Sequence, residues 1–269
     1  MTHQNDFINQ QRGFTLVEMA IVMLIVTLLL TGLVPTISSQ IEQRQRNETR
    51  KQVDEVRDAL LGFVLTNGRL PCPASINSKG MESFCTNPGL GACGIETFYP
   101  TAPQAHGRCF SPVAPLVYDG FVPAATLGIT PTDNQGYAVD GWSNRIRYAV
   151  TTDHSNAFTI TNGMQTVGMG TLSPDLHVCD SATGIAPSNC GVIATSLTTN
   201  AVAVIYSIGK NTVPTGIDEA ANLNLPADQV FVSHVPSSAG APNGEFDDIV
   251  TWLSPNILFN RMVTAGKLP

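Results

Sequence analysis

The chain has 269 residues, six cysteines and a formal net charge of −7 at pH 7. The charge is spread thinly and the basic residues concentrate only in a mixed-charge segment, so the composition argues against general nucleic-acid binding and no nucleic-acid partner is expected. Beyond a long N-terminal helix about 200 residues remain, enough for one globular domain with its own core.

The first element is an apolar run from Phe14 to Val34, which follows a short polar leader ending in Arg12-Gly13 and contains one charged residue, Glu18. A helix of about 20 apolar residues can cross the roughly 30 Å hydrocarbon core of a bilayer. An acid near the start of such a helix is unfavourable, which suggests a partner that neutralises it. A secretory signal peptide has a shorter apolar core, and an ordinary bitopic anchor leaves Glu18 unexplained. A buried helix of a soluble protein is the third alternative.

The residues Gly13-Phe14-Thr15-Leu16-Val17-Glu18 resemble the class III signal of type IV pilins and type II secretion pseudopilins. The resemblance implies a leader at residues 1–13, cleavage between Gly13 and Phe14 by prepilin peptidase, and N-methylation of Phe14. It also implies that the inner-membrane assembly platform incorporates the chain into a filament of pilin or pseudopilin subunits. In that filament the Glu18 carboxylate is expected to attract the amino terminus of Phe14 on an adjacent subunit.

The N-terminal helix is expected to continue past Pro35 as an amphipathic segment. Apolar residues recur there at steps of about three or four; they include Ile37, Ile41, Val53, Val56, Leu60, Phe63 and Val64. Asn67-Gly68, followed by Pro71, is a typical helix end. The predicted organisation is a leader at 1–13, a helix at 14–66 and a head at 67–269. Residues 14–34 of the helix are expected to cross the membrane, and residues 35–66 form its amphipathic part.

All six cysteines follow the apolar run: Cys72, Cys85, Cys93, Cys109, Cys179 and Cys190. An even number of cysteines in an exported domain predicts up to three disulfides. Cys179 and Cys190 bracket a short loop and are expected to pair with each other, whereas the other four leave three connectivities open. The spacings do not indicate structural zinc.

The amino-acid composition of the head changes along the chain. Residues 68–115 are rich in Gly, Pro, Asn, Ser and Cys and are expected to be loops. Five runs of β-branched or aromatic residues follow between turn residues: 146–151, 157–161, 201–208, 229–235 and 248–253. Ser254-Pro255 suits the start of a short last helix. With the family resemblance, these elements predict an α+β, type IV pilin-like fold. In that fold the long N-terminal α-helix packs on an antiparallel β-sheet head with disulfide-bound loops.

Three segments of the head also resemble major pseudopilins: residues 140–148 (DGWSNRIRY), 206–209 (YSIG) and 248–252 (DIVTW). In that family the loop between the last two segments holds calcium, whose preferred ligands are oxygens. The resemblance implies that Asp248 is a ligand and that Asp247 adds charge. The family's Gly-Ala-Asp-Gly is replaced here by residues 209–212 (GKNT), so ordinary turn and strand-start roles for the two aspartates are the alternative. No other cofactor is expected.

The sequence contains no Gly-x-Ser-x-Gly, His-Glu-x-x-His or phosphate-loop motif, so the chain is not expected to be an enzyme. The resemblance implies a structural subunit, and the large head favours a minor pilin or pseudopilin. It also implies a single-pass protein of the inner membrane with a periplasmic head, which becomes part of a cell-surface or periplasmic filament. The alternative is an adhesive or cargo-binding pilin-like protein whose loop region 68–140 contacts a ligand. The sequence does not distinguish a pilus from a secretion system.

Overall fold

A computed structural model describes residues 13–87, 92–100, 107–112, 116–223 and 228–268, and for residues 30–38 it describes the backbone only. Leader residues 1–12 and the side chains at 30–34 of the expected membrane segment lie outside the described residues, as does the side chain of Pro35. The chain divides into two compact units, Met1–Arg44 and Gln45–Pro269.

Helix α1 (Leu16–Asn67) is 52 residues long and contributes to both units. It ends at Asn67, where Gly68 adopts a φ of 68° and donates its amide hydrogen to the Val64 carbonyl at 2.8 Å. Glycine is the usual residue at such a left-handed helix end because it has no Cβ. Within the described residues, no helix is both long enough and apolar enough to cross a membrane.

The second unit adds nine strands and five short helices in its described part. In chain order they are β1 (Ser83–Cys85), β2 (Glu96–Phe98), β3 (Val117–Phe121), α2 (Ala124–Leu127), β4 (Arg147–Thr151), α3 (Asp153–Asn156), α4 (Gly163–Val167), β5 (Leu176–Cys179), β6 (Ser196–Ala201), β7 (Ala203–Ser207), α5 (Ile217–Asn222), β8 (Val230–Val232), β9 (Ile249–Leu253) and α6 (Pro255–Thr264).

A four-stranded antiparallel sheet with the order β3-β4-β7-β9 forms the middle layer of this unit. Side chains alternate between the two faces of a strand, and here both faces are buried. Tyr148 and Ile205 belong to one core with Val56 and Leu60 of α1. Burying an aliphatic side chain such as Val56 or Leu60 stabilises the fold by about 1.5–3 kcal/mol. These contacts therefore hold α1 against the middle sheet.

The opposite face of the middle sheet packs on a second core. Val204 and Tyr206 of β7 join Leu176 of β5 and Phe231 of β8 there. These last two strands lie in a three-stranded sheet with the order β6-β5-β8, in which β5 and β8 are parallel. The expected antiparallel sheet is present in the head, and the parallel β5–β8 pair is an exception to it. The long connection between β5 and β8 supplies the crossover that a parallel pair requires.

The predicted strand at 157–161 is wrong, because these residues form turns between α3 and α4. Ala157 and Phe158 are buried, so their apolar character reflects core packing. The Phe158 carbonyl accepts the Leu70 amide at 2.7 Å, and the Thr159 hydroxyl donates to the Gly107 carbonyl at 2.6 Å. The segment packs into the core as a compact turn, and it pairs with no strand in the described part of the chain.

Three disulfides join all six cysteines: Cys72–Cys109, Cys85–Cys93 and Cys179–Cys190. The third is the pair that the short loop predicts. The first two lie in the region expected to be loop, which also holds the small antiparallel pair of β1 and β2. Loops closed by such bonds lose conformational freedom in the unfolded chain, which stabilises the folded state.

A buried ion pair fixes the same region. The two terminal nitrogens of the Arg69 guanidinium, Nη1 and Nη2, donate to the Glu82 carboxylate, and Oε1 of that carboxylate also accepts a hydrogen bond from the Cys72 amide at 2.7 Å. Burial raises the pKa of Glu82, an effect that the Arg69 charge opposes. A buried charge left without its partner is strongly destabilising, so Arg69 and Glu82 hold the segment from the end of α1 to β1 in one arrangement.

Candidate functional site

The described residues contain two candidate sites, one in each compact unit. The first is the start of α1, where the apolar side chains are exposed along the described part of the first unit. Phe14 is 83% exposed and Leu16 is 87% exposed. A monomeric soluble protein rarely leaves so continuous an apolar surface uncovered. The segment therefore requires an apolar environment or the surface of another subunit.

Glu18 caps the first turn of this helix. Its carboxylate accepts the Thr15 amide and the Thr15 hydroxyl, each at 2.8 Å, while its own amide donates to the Thr15 hydroxyl oxygen at 3.2 Å. This reciprocal pattern is a capping box, which satisfies amide groups that have no partner at a helix start. The sequence analysis missed it, although Thr-x-x-Glu at residues 15–18 is its signature.

The capping box places the Glu18 carboxylate beside the amide of Thr15, one residue after the expected cleavage point. The same carboxylate therefore lies at the end of the chain where cleavage after Gly13 would create the positive amino group of Phe14. In the structure the Glu18 carboxylate is in contact with Thr15 of the same chain.

The second candidate site is a buried group of three acids, namely Glu219, Asp247 and Asp248. One ligand oxygen from each residue lies within 4.8 Å of the others. Glu219 is in the first turn of α5, and the two aspartates directly precede β9. The sequence analysis selected Asp247 and Asp248 but missed Glu219, because nothing in the linear spacing of these residues indicates that α5 folds against the start of β9.

Backbone amides and carboxamides surround the cluster. Asp247 Oδ2 accepts the Lys210 amide at 2.9 Å, and Asp248 Oδ2 accepts the side chain of Asn222 at 2.8 Å. Glu219 Oε1 accepts a hydrogen bond from the side-chain NH₂ group of Asn211 at 3.2 Å. The Lys210 side chain is exposed, so the loop of residues 209–212 approaches the acids with its backbone and Asn211 and not with the Lys210 ammonium.

One oxygen of the cluster has no protein partner. Asp247 Oδ1 is buried and makes no hydrogen bond within the described residues. A Cβ at Gly209, where φ is +67°, would lie 1.9 Å from this oxygen, so only glycine fits beside it. A buried, unpaired carboxylate oxygen is costly, and its presence between two further carboxylates fits the donor set of a hard cation.

The electrostatics of the cluster favour the same chemistry. Burial, reinforced by the nearby charges of Glu219 and Asp247, raises the pKa of Asp248 to about 8. Burial also raises the pKa of Asp247, with Glu219 adding to the increase and Arg46 opposing it. Two buried aspartates this close together do not both ionise without compensation. Either protons or a cation must neutralise them, and Ca²⁺ binds through six to eight oxygens of this kind.

Comparison with known proteins bears on the first site. Residues 8–34 match the family model described as the prokaryotic N-terminal methylation motif, which is the signal of type IV pilins and pseudopilins. The match covers the leader and the beginning of α1 and does not reach the second compact unit. No curated protein and no solved structure gives a significant match to the chain.

Proposed function

We propose that the chain is a structural subunit, specifically a minor pilin or pseudopilin, of a type IV pilus or a type II secretion pseudopilus. The methylation motif at residues 8–34 carries this proposal. It supports processing by prepilin peptidase and assembly with other subunits of the pilin type. The exposed apolar start of α1 supports an inner-membrane location before assembly and a helix-mediated contact afterwards. The large second unit favours a minor subunit.

The chemistry of assembly follows from the first turn of α1. Cleavage after Gly13 frees the amino group of Phe14 while the apolar helix is retained. In an apolar environment an unpaired carboxylate is strongly disfavoured and a paired one is tolerated. The Glu18 carboxylate therefore attracts the amino group of Phe14 on an adjacent subunit, and the capping hydrogen bonds from Thr15 hold that carboxylate at the helix start.

Intact-mass measurement of the membrane-extracted chain tests the processing step. We expect a mature protein that begins at Phe14 and carries one added methyl group. Gly13→Val should leave the leader attached, whereas Gly62→Ala, a change at an exposed glycine within α1, should be processed normally. A mature terminus beyond Val34 would contradict the proposal, because assembly requires the retained apolar helix.

A second element of the proposal concerns the acidic cluster, which we infer to be a calcium site that stabilises the head. Asp247, Asp248 and Glu219 would supply carboxylate oxygens, and the unpaired Asp247 Oδ1 is the observation that favours it. Bound calcium would neutralise the acids and join α5 to the start of β9. A ligand present at a hundred times its Kd stabilises the folded state by about 2.7 kcal/mol.

Thermal unfolding of the full chain in detergent micelles, with calcium or with a chelator, tests the calcium site. We expect calcium to raise the Tm of the wild-type chain and of Asp54→Asn, a control at an exposed acid of α1. In Asp247→Asn the calcium-dependent shift should disappear. Without calcium this variant should unfold at the same temperature as wild type or higher, because one repelling charge is gone. An unchanged Tm of the wild-type chain in millimolar calcium would refute the site.

A further inference from the structure

A cavity of about 290 Å³ lies at the surface of the head, between the turns at residues 76–79 and 134–137. It is lined by Ile76, Asn77, Lys79, Asn134, Gln135 and Tyr137. These residues come from two separate turns, and none of them takes part in the start of α1 or in the acidic cluster. The volume is just below the roughly 300–1,000 Å³ typical of small-molecule sites, so a single small unit would fill it.

Tyr137 holds the two turns together. Its side chain is 1% exposed, and its hydroxyl donates to the Ser75 carbonyl at 2.8 Å while accepting the Lys79 amide at 3.0 Å. Gly80 and Gly136 let the two backbones meet, since a Cβ at Gly80 would lie 1.9 Å from the Gly136 carbonyl oxygen. The cavity is therefore preformed by a buried side chain and by direct backbone contact.

Several side chains around the cavity retain hydrogen-bonding capacity. Lys79, Asn77 and Asn134 are exposed, and no contact of the Lys79 ammonium or of the two carboxamides is described. Gln135 accepts a hydrogen bond from Arg145 through its oxygen, which leaves its NH₂ group as a donor. Three residues with carboxamide side chains and one lysine thus line a cavity the size of a small ligand.

Lys79 is the one charged residue among those that line the cavity. The neighbouring Arg145 is paired with Asp133 at 2.7 Å and lies 4.0 Å over the Tyr137 ring. The Arg145–Asp133 pair is neutral overall, so Lys79 gives the cavity a positive charge, in a chain whose formal net charge is −7. This arrangement favours a ligand with an anionic group.

Lys79 also has an unfavourable backbone conformation. Its φ is 54°, a region that residues with a Cβ rarely adopt. Glycine would fit this turn without strain, yet the chain has a lysine there. Strained residues that persist in a well-packed turn are frequent at binding sites, and here the strained residue is the one that supplies the charge.

We propose that this cavity binds an acidic monosaccharide unit, such as a hexuronate residue of a polysaccharide. Its carboxylate would pair with Lys79, and its hydroxyl groups, which both donate and accept, match the carboxamides of Asn77, Asn134 and Gln135. The side chain of Ile76, which is 68% exposed, offers an apolar surface to the C–H face of the sugar ring. The site lies in the 68–140 region that the sequence analysis gave as an alternative ligand-contacting surface, and it does not depend on filament assembly.

Ligand-detected NMR on the full chain in a detergent without a sugar head group tests this proposal. The probes are D-glucuronate, D-glucose, acetate and a short glutamate-containing peptide. We expect glucuronate to bind at millimolar concentration or below, glucose to bind at least tenfold more weakly, and acetate and the peptide to give no signal. Lys79→Gln should reduce glucuronate affinity to that of glucose, and Asn134→Ala should weaken the binding of both sugars.

Lys210→Gln is the matched control, because it removes another exposed lysine, from a different loop, and should leave glucuronate binding unchanged. Lys79→Gly keeps the turn, relieves its strain and should also abolish the preference for glucuronate, which separates loss of the ammonium from misfolding. Absence of a glucuronate signal, or an unchanged affinity in Lys79→Gln, would overturn the proposal. Equal binding of the peptide would assign the cavity to acidic peptides and overturn the saccharide assignment.

Discussion

The Glu18 carboxylate has one partner in its own chain and a second, proposed partner in an adjacent subunit. Within the chain it accepts the amide and hydroxyl of Thr15 as part of a capping box. Between chains, the proposed assembly pairs it with the amino group of Phe14. A carboxylate has about four acceptor positions, so the local hydrogen bonds leave capacity for an amino group. The capping box therefore leaves the carboxylate able to take part in the proposed contact between subunits.

Two substitutions separate these roles. Glu18→Ala removes both the charge and the cap, whereas Thr15→Val removes the capping hydroxyl and keeps the charge. We expect normal cleavage after Gly13 in both variants, a large loss of Glu18→Ala from sheared filaments, and near wild-type incorporation of Thr15→Val. If Thr15→Val were lost from filaments to the same extent as Glu18→Ala, the cap and not the charge would be the requirement.

Lys79 permits a second test at the level of one residue. Its left-handed backbone is strained for a residue with a Cβ, and glycine removes that strain at the cost of a more flexible unfolded chain. We expect Lys79→Gly to stabilise the chain by about 0.5–1 kcal/mol in chemical unfolding. Asn77→Gly, in the same turn but outside the left-handed region, should be neutral or destabilising. A destabilised Lys79→Gly would show that the lysine side chain supports the turn.

At the level of elements, helix α1 changes its environment along its length. In the second unit Val53, Val56, Leu60 and Val64 are all at most 2% exposed and lie in one core with the middle sheet. Their steps of three and four residues place them on one face of the helix. The apolar stripe therefore predicted the face of α1 that contacts the head, and the charged residues between its members remain at the surface.

Adjacent leucines in α1 provide a matched pair for measuring this contact. Leu60 is fully buried, whereas Leu61 is only partly buried against the same core. Leu60→Ala removes buried contacts and leaves a cavity, so we expect a loss of about 2–5 kcal/mol. Leu61→Ala should cost clearly less in the same unfolding measurement. Equal losses would mean that the two sides of the helix are equally enclosed in the folded chain.

Elements that have a local sequence signal were predicted better than segments whose structure depends on contacts with residues far away in the chain. The last helix, α6, begins at Pro255 directly after Ser254, where the sequence analysis placed it. Four of the five strand predictions correspond to β4, β7, β8 and β9. The fifth, at 157–161, was wrong because a buried turn and a buried strand can have the same apolar composition, and only the surrounding core distinguishes them.

At the level of the whole molecule, the two candidate sites differ in how far the sequence reveals them. The leader, the expected cleavage point and Glu18 follow one another closely in the chain, so the sequence alone reveals the first site. The acidic cluster joins α5 to the start of β9, and Glu219 becomes a neighbour of Asp247 only through folding. Resemblance to a family loop indicated the two aspartates, while the third acid and the unpaired oxygen required the structure.

The two sites lie in different compact units and share no partner among the described residues, and substitutions without shared partners usually combine additively within about 0.3–0.5 kcal/mol. We therefore expect Glu18→Ala to leave the calcium-dependent rise in Tm at its wild-type size, and Asp247→Asn to leave cleavage after Gly13 unchanged. In the double variant, the calcium response should be absent as in Asp247→Asn, and filament incorporation should be as low as in Glu18→Ala. Parallel thermal unfolding, intact-mass and sheared-filament measurements on the four proteins check this. A calcium response that decreases in Glu18→Ala would mean that the start of α1 and the head are energetically coupled, so that calcium binding to the head also controls assembly.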